Sequence, residues 1–155
     1  MQNKYIWRIS KKLLIAILED KVSDIFLSEL IWDRLSYTKN HDSEIWIATK
    51  NTPLYWKEKY ISSPLIISDR KASVYLTRSI PKEQKQGLKN FLGFKGYKID
   101  ELYPRRTRRA TAINWLIFWE KSENSIIVDE DEMPNRCGIM HARGIPPMSN
   151  VTQVR

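Results

Sequence analysis

The feature that most constrains the fold is a strongly apolar segment within residues 107–120. Its second half, residues 112–119, is apolar on nearly every side if the segment is helical. Other elements must surround such a helix, because an exposed face would leave apolar side chains in water. The segment therefore predicts a central, most buried helix. Asn114 lies inside it and needs a hydrogen-bond partner, so we expect Asn114 to fix the fold rather than to catalyse.

Two amphipathic segments near the N-terminus are predicted to pack on this helix. Ser10 is a suitable N-cap for a helix over residues 11–19, and Ser23 for a helix over residues 24–35. Each segment carries its leucines and isoleucines on one face. The short connection between them predicts an antiparallel helical pair.

The middle of the chain predicts shorter elements. Two further helices are expected over residues 53–60 and 81–92, the second ended by Gly93. Alternating side chains over residues 73–78 favour a strand, and residues 45–47 a brief one. The predicted fold class is α-rich α+β, with about five helices around the central apolar C-terminal helix and one small sheet or hairpin.

The length of 155 residues fits one domain. We expect a single globular domain over residues 1–121. Residues 122–155 form an acidic and then glycine- and proline-containing tail, expected to be largely disordered. The single cysteine, Cys137, excludes an internal disulfide and fits a reducing compartment. The sequence contains no run of about 18 apolar residues. We therefore expect no membrane span, and we expect the protein to be cytoplasmic.

Positive charge is concentrated in one part of the chain. Residues 78–109 contain 10 basic and 3 acidic side chains, whereas the whole chain has a net charge of +8. The flanking segments contribute little, since residues 1–77 carry +3 and residues 110–155 carry −2. This distribution predicts a basic patch that meets an anionic partner.

Four arginines open the last predicted helix: Arg105, Arg106, Arg108 and Arg109. Helix N-termini already carry partial positive charge, so four cations there break a local preference. Guanidinium groups beside free helix N–H groups would bind phosphate or carboxylate well. The alternative is that the arginines pair with Asp100, Glu101 and other acidic side chains of the fold. The sequence leaves both interpretations open.

A glycine loop precedes these arginines. Gly93 and Gly96 form a G-x-x-G pattern around Lys95, with Lys98 close behind. Such loops clamp nucleic-acid backbones in KH modules, and Tyr97 would be the exposed ring that stacks on a base. The strands expected of a KH module are missing, and a helix-ending glycine followed by a tight turn explains the same residues. The loop is therefore a weak signal by itself.

Three stretches resemble a cyanobacterial family known as a domain of unknown function (eighteen-twenty-three). They are L-T-R-S-I-P at residues 76–81, L-G-F-K-G-Y-K-I at 92–99, and R-R-T-R-R-A-T-A with N-W-L within 105–116. The resemblance runs from about Leu13 to Trp119. It implies a cytoplasmic setting, or a stromal one in a plastid, and it carries no catalytic residues across.

Enzymatic chemistry finds little support in the sequence. Cys137 and His141 have a tolerable metal spacing, but two ligands do not make a site. Neither a P-loop, a G-x-S-x-G motif nor a dinucleotide-binding glycine pattern is present. We expect no catalytic residue, no metal and no cofactor.

Three functional hypotheses follow, in order of preference. The first is a non-catalytic basic module that contacts a polyanion, RNA before others. The second is a protein-interaction or assembly factor of photosynthetic cells that docks an acidic partner surface. The third, an enzyme acting on a phosphorylated small molecule, lacks an evident base or nucleophile. The oligomeric state is not indicated.

Overall fold

The computed structural model describes residues 5–40, 42 and 44–134. Within these residues, six α-helices and two short strands follow one another. Their bounds are α1 Lys11–Leu18, α2 Asp24–Arg34, β1 Thr38–Lys39, β2 Trp46–Ile47, α3 Leu54–Lys57, α4 Arg70–Ser79, α5 Gly87–Leu92 and α6 Pro104–Ser122. Short 3₁₀ turns cover Lys82–Gln84 and Ile99–Glu101. The predicted α-rich α+β class is confirmed.

Helix α6 is the centre of the fold, as the apolar segment predicted. It packs against α1, α2, α4 and α5. Ile113 and Leu116 are completely buried, and Trp115 is 1% exposed. Asn114 makes the bonds that its position required: its Oδ1 accepts from the Leu88 N–H at 2.9 Å, and its Nδ2 donates to the Lys85 carbonyl at 3.1 Å. This side chain fixes the start of α5 against α6.

Helices α1 and α2 begin where their serines predicted. The Ser10 hydroxyl accepts from the Leu13 N–H, and the Ser23 hydroxyl accepts from the Phe26 N–H. Asp20 lies in the turn between the helices with a φ of 60°. This left-handed conformation reverses the chain and places the Asp20 carboxylate beside the start of α6.

The prediction of a strand over residues 73–78 is wrong, because these residues belong to α4. The side chain of Asp69 caps the helix by accepting from the Lys71 N–H at 3.0 Å. Ala72 and Leu76 are fully buried, so the inward face follows the helical spacing of four. The strand propensity of the valine, tyrosine and threonine in this segment yields to that packing.

The small sheet lies elsewhere, at the brief strand predicted near residue 46. Strands β1 and β2 are antiparallel, with Thr38 opposite Ile47 and Lys39 opposite Trp46. The helix expected over residues 81–92 is shorter than predicted, since α5 begins only at Gly87 after a 3₁₀ turn. Gly93 ends α5 with a φ of 69°, as predicted.

The segment after α6 is described as far as residue 134, and its backbone bonds to the start of α1. The N–H of Lys11 donates to the Val128 carbonyl at 2.8 Å, and that of Lys12 donates to the Asp129 carbonyl at 3.0 Å. Ser10 and Val128 form an isolated parallel bridge. This stretch therefore covers the start of α1. Residues 135–155, with Cys137 and His141, lie outside the described residues.

A buried ion pair ties α2 to the end of α6. Arg34 Nε donates to Glu120 Oε2 at 2.7 Å, and the two side chains are 1% and 8% exposed. A second Arg34 nitrogen donates to the Trp7 carbonyl at 2.9 Å. Such a pair is strongly destabilising to break, because the remaining charge would be left buried.

Candidate functional site

The four arginines at the start of α6 do not share one surface. Successive residues of a helix point about 100° apart, so Arg105 and Arg109 lie on one side and Arg106 and Arg108 on two others. The structure therefore divides the predicted cluster into an internal pair and two outward groups.

Arg105 and Arg109 bind the turn between α1 and α2, and we call this set of contacts the clasp. Arg105 binds both oxygens of Asp20, at 2.9 and 2.8 Å, and Asp24 Oδ2 at 2.8 Å. Arg109 is 2% exposed and meets Asp24 Oδ1 at 2.5 Å. Its other terminal nitrogen donates to the carbonyls of Ile17, at 3.0 Å, and Val22, at 2.7 Å. For these two arginines the internal-pairing interpretation holds, with Asp20 and Asp24 in place of Asp100 and Glu101.

The electrostatics of this clasp are those of a structural ion pair. The hydrogen bond from Arg105 lowers the pKa of Asp20 below its ordinary value, although burial opposes that shift. The same bonds raise the pKa of Arg105, so both groups are charged at neutral pH. The clasp joins the α1–α2 turn to α6 and leaves little charge on Arg109 for an outside ligand.

Arg106 and Arg108 have different surroundings. The Arg106 guanidinium lies over the rings of Tyr97, at 5.1 Å, and Tyr103, at 4.6 Å. Arg108 is half-buried and donates to the Ile67 carbonyl at 3.1 Å. Within the described part of the chain, neither forms an ion pair with a carboxylate. Both guanidinium groups therefore remain available to bind an anion from outside the chain.

The glycine loop extends from α5 toward these arginines. Gly96 has a φ of 106°, and a Cβ on Gly93 or Gly96 would meet nothing within 4 Å. Lys95 and Lys98 are exposed. Tyr97 packs edge-on to a neighbouring phenylalanine and face-on to Arg106, so part of its ring is already occupied. The loop thus presents two lysines more freely than it presents the tyrosine.

A second group of cations was not predicted from the sequence. Lys59, Lys71 and Arg78 line a cavity of 210 Å³ on the outer side of α4, together with Arg70. Arg70 also lines a second cavity of 470 Å³ between α4 and α6, to which Arg108 contributes. We call these five cations the basic groove. No ion pair joins any of them to a carboxylate within residues 5–40, 42 and 44–134.

The basic groove was not predicted because residues 73–78 were expected to form a strand rather than part of α4. A strand would alternate the side chains of residues 73–78 between two faces, whereas in a helix Arg70, Val74 and Arg78 follow one another along one face. The signal was therefore present as an i, i+4, i+8 spacing. Asp69 is the acidic neighbour on this helix, and its carboxylate is occupied as the α4 cap.

Among the residues that the structure describes, no group of three or more histidine, cysteine, aspartate or glutamate side chains could hold a metal ion. No helix in the same residues has both the length and the apolar character to cross a bilayer.

Fold and surface together define an α-rich domain with a basic groove across two of its helices. The chain belongs to the family described as "Domain of unknown function (DUF1823)", whose model matches residues 8–121. The family resemblance noted in the sequence is confirmed. A solution NMR structure is 43% identical, with a TM-score of 0.65, and the match covers 77% of this chain and 98% of that one.

Partial similarity also extends to two insect proteins, both Serrate RNA effector molecule homologs. The Aedes aegypti protein is 44% identical over 59 residues, which is 34% of this chain. The Drosophila virilis protein is 90% identical over 19 residues, which is 12% of this chain. The chain spans only 6% and 2% of the length of these relatives.

Proposed function

We propose that this domain is a non-catalytic module that binds a polyanion, with RNA as the preferred ligand, along the basic groove. The observation that carries the proposal is that five cations line two adjoining cavities without a carboxylate partner in the described chain. Unpaired cations gathered on one face raise the local concentration of an anionic ligand. Their neutralisation by phosphates would release counterions, which is the main source of affinity for nucleic acids.

The groove continues toward the glycine loop. Tyr103 lines the larger cavity, and the guanidinium of Arg106 lies over its ring. Arg106 in turn contacts Tyr97, which lies between Lys95 and Lys98. Phosphates that follow the groove would therefore meet these cations beyond its end. Arg105 and Arg109 are left out of the proposed interface, because the clasp uses them.

RNA is preferred over a small anion because the cations are spread over two cavities. One small anion would contact the lining of one cavity only, whereas a chain of phosphates can reach both. The insect relatives are RNA effector homologs by name, but at most 34% of this chain matches them. The proposal therefore depends on the surface charge. A cytoplasmic or stromal setting in a photosynthetic cell is part of the same proposal.

Salt dependence tests the proposal directly. Fluorescence anisotropy of a labelled 12-nucleotide single-stranded RNA would be recorded between 50 and 200 mM salt. With about four phosphate contacts, the slope of log K against log salt should be about −3, which weakens binding by roughly fiftyfold over this range. A flat salt response would contradict the proposal.

Matched triple variants assign the binding to the groove. The groove variant is Arg70→Gln, Arg78→Gln and Arg108→Gln, and its slope should be less steep by about 2. The control variant is Lys12→Gln, Lys39→Gln and Lys121→Gln, which removes the same charge from residues that line neither cavity. Equal losses in both variants would show that net charge alone, rather than the groove, attracts RNA.

A second candidate function is docking to an acidic protein surface. Exposed apolar side chains line part of the groove, since Leu102 is 51% exposed and Tyr103 is 43% exposed. Apolar area beside charge is typical of protein interfaces, where a dry centre has a polar rim. Affinity capture from nuclease-treated and untreated lysate separates the two candidates. Stoichiometric protein partners that survive nuclease favour docking, and their loss favours RNA.

A further inference from the structure

The larger cavity of the basic groove has a more specific composition than the rest of the surface. It is an open depression of 470 Å³ between α4 and α6, and each helix contributes one arginine and two hydroxyl side chains. The arginines are Arg70 and Arg108. The hydroxyls are those of Ser73, Thr77, Thr107 and Thr111. No carboxylate is among the lining residues.

The Ser73 hydroxyl opens on the cavity. The residue is 6% exposed and lines the cavity, and its side chain has no hydrogen-bond partner among the residues that the structure describes. Its Oγ faces the open side of the cavity and is reached by solvent. The hydroxyl can therefore donate to a ligand without giving up a bond inside the protein.

The three threonines can join such a ligand at little cost. Thr77, Thr107 and Thr111 each donate to a carbonyl three or four residues earlier in their own helix, at 2.9 to 3.1 Å. These carbonyls lie within helices, so a hydroxyl that turns toward a ligand gives up only an auxiliary bond.

The arginines are suitably held for an anion. Arg108 is fixed by its bond to the Ile67 carbonyl, which uses one of its five N–H groups. Arg70 is exposed and has no ion pair in the described chain. Two guanidinium groups without a carboxylate match a ligand of charge near −2.

We infer that this cavity binds a phosphate monoester. At neutral pH a monoester carries about −1.5 to −2 charge and three terminal oxygens, more than the single charge of an internal phosphodiester. The apolar lining from Val74, Leu102 and Pro104 would contact the organic part of the ligand. The inference deepens the proposed RNA binding, because a 5′-phosphorylated RNA end and a free mononucleotide present the same group.

Isothermal titration calorimetry of the full chain tests the inference with adenosine 5′-monophosphate and adenosine. The monophosphate should bind, and adenosine should bind at least tenfold more weakly. Arg70→Gln should weaken the monophosphate by about tenfold, the equivalent of losing one charge-assisted hydrogen bond. Lys121→Gln is the control, since Lys121 lines neither cavity of the groove, and it should leave this affinity unchanged.

Ser73→Ala provides a test that does not alter charge. It should weaken the monophosphate by about threefold to tenfold without lowering the melting temperature, because the hydroxyl holds nothing in the free protein. Equal binding of adenosine and its monophosphate, or an unchanged affinity in both Arg70→Gln and Ser73→Ala, would overturn the inference.

RNA with and without a 5′-phosphate distinguishes the source of the ligand and the two proposals. A preference for the phosphorylated end, lost in Ser73→Ala, assigns the cavity to RNA ends. Monophosphate binding without RNA binding would support the phosphate-monoester site and refute the RNA proposal. Salt-dependent RNA binding that is equal with and without a 5′-phosphate, together with no binding of the monophosphate, would support the RNA proposal and refute the phosphate-monoester site.

Discussion

Replacing Arg109 by glutamine tests whether the clasp is structural. The arginine side chain is 3% exposed, pairs with Asp24 at 2.5 Å and donates to the carbonyls of Ile17 and Val22. Breaking a fully buried pair typically costs about 3–5 kcal/mol, but here only Arg109 is buried, since the Asp24 side chain is 39% exposed. The cost here should be near the lower end, about 3 kcal/mol, because Asp24 would keep its bond to Arg105.

Urea unfolding followed by tryptophan fluorescence measures this cost, since Trp115 and Trp119 stack in α6 beside the core. A loss of about 3 kcal/mol corresponds to a melting temperature lower by about 6–12 °C for a chain of this size. Arg105→Gln is the matched comparison. Its side chain is 43% exposed, so its loss should cost at most about 1 kcal/mol. Equal destabilisation by the two variants would refute the assignment of Arg109 to the interior.

Three further outcomes are expected. Because the Arg105 hydrogen bond lowers the pKa of Asp20, the clasp stabilises the fold above the ordinary aspartate pKa and loses this effect as pH falls through the lowered value. The difference in unfolding free energy between wild type and Arg105→Gln, present at pH 7, should thus begin to fall near about pH 4 and vanish only below the lowered pKa, and a constant difference would contradict it. Asn114→Ala should cost about 2 kcal/mol in urea unfolding, since two hydrogen bonds to α5 are lost, and Asn114→Asp should retain part of that stability through its oxygen. Glu120→Gln should cost about 3 kcal/mol, because Arg34 would keep its charge without an ionised partner, and a neutral effect would show that the pair is hydrated.

Elements with strong local signals were predictable from the sequence. The apolar face of α6 and the serine caps of α1 and α2 follow from residues close together in the chain. Helix α4 was not predicted, because its valine, tyrosine and threonine favour strands. What decides its conformation is burial of Leu76 against α6, a contact between residues far apart in sequence.

The candidate site was predictable only in part, for the same reason. The charge count located Arg106 and Arg108, but it could not show that Asp20 and Asp24 approach α6 from 81 to 85 residues away and neutralise the neighbouring arginines. The basic groove required the three-dimensional arrangement, because it joins a lysine after α3, the arginines of α4 and Arg108 of α6.

The side-chain N–H signals of the arginines provide the most direct test of where RNA binds. Two-dimensional ¹H–¹⁵N spectra, recorded during titration with the 12-nucleotide RNA, report each guanidinium separately. The account predicts that the Nε–H signals of Arg70, Arg78 and Arg108 shift, whereas that of Arg109 stays in place because its guanidinium is buried in the clasp. Shifts confined to Arg105 and Arg109, or no shift in any arginine of the groove, would contradict it.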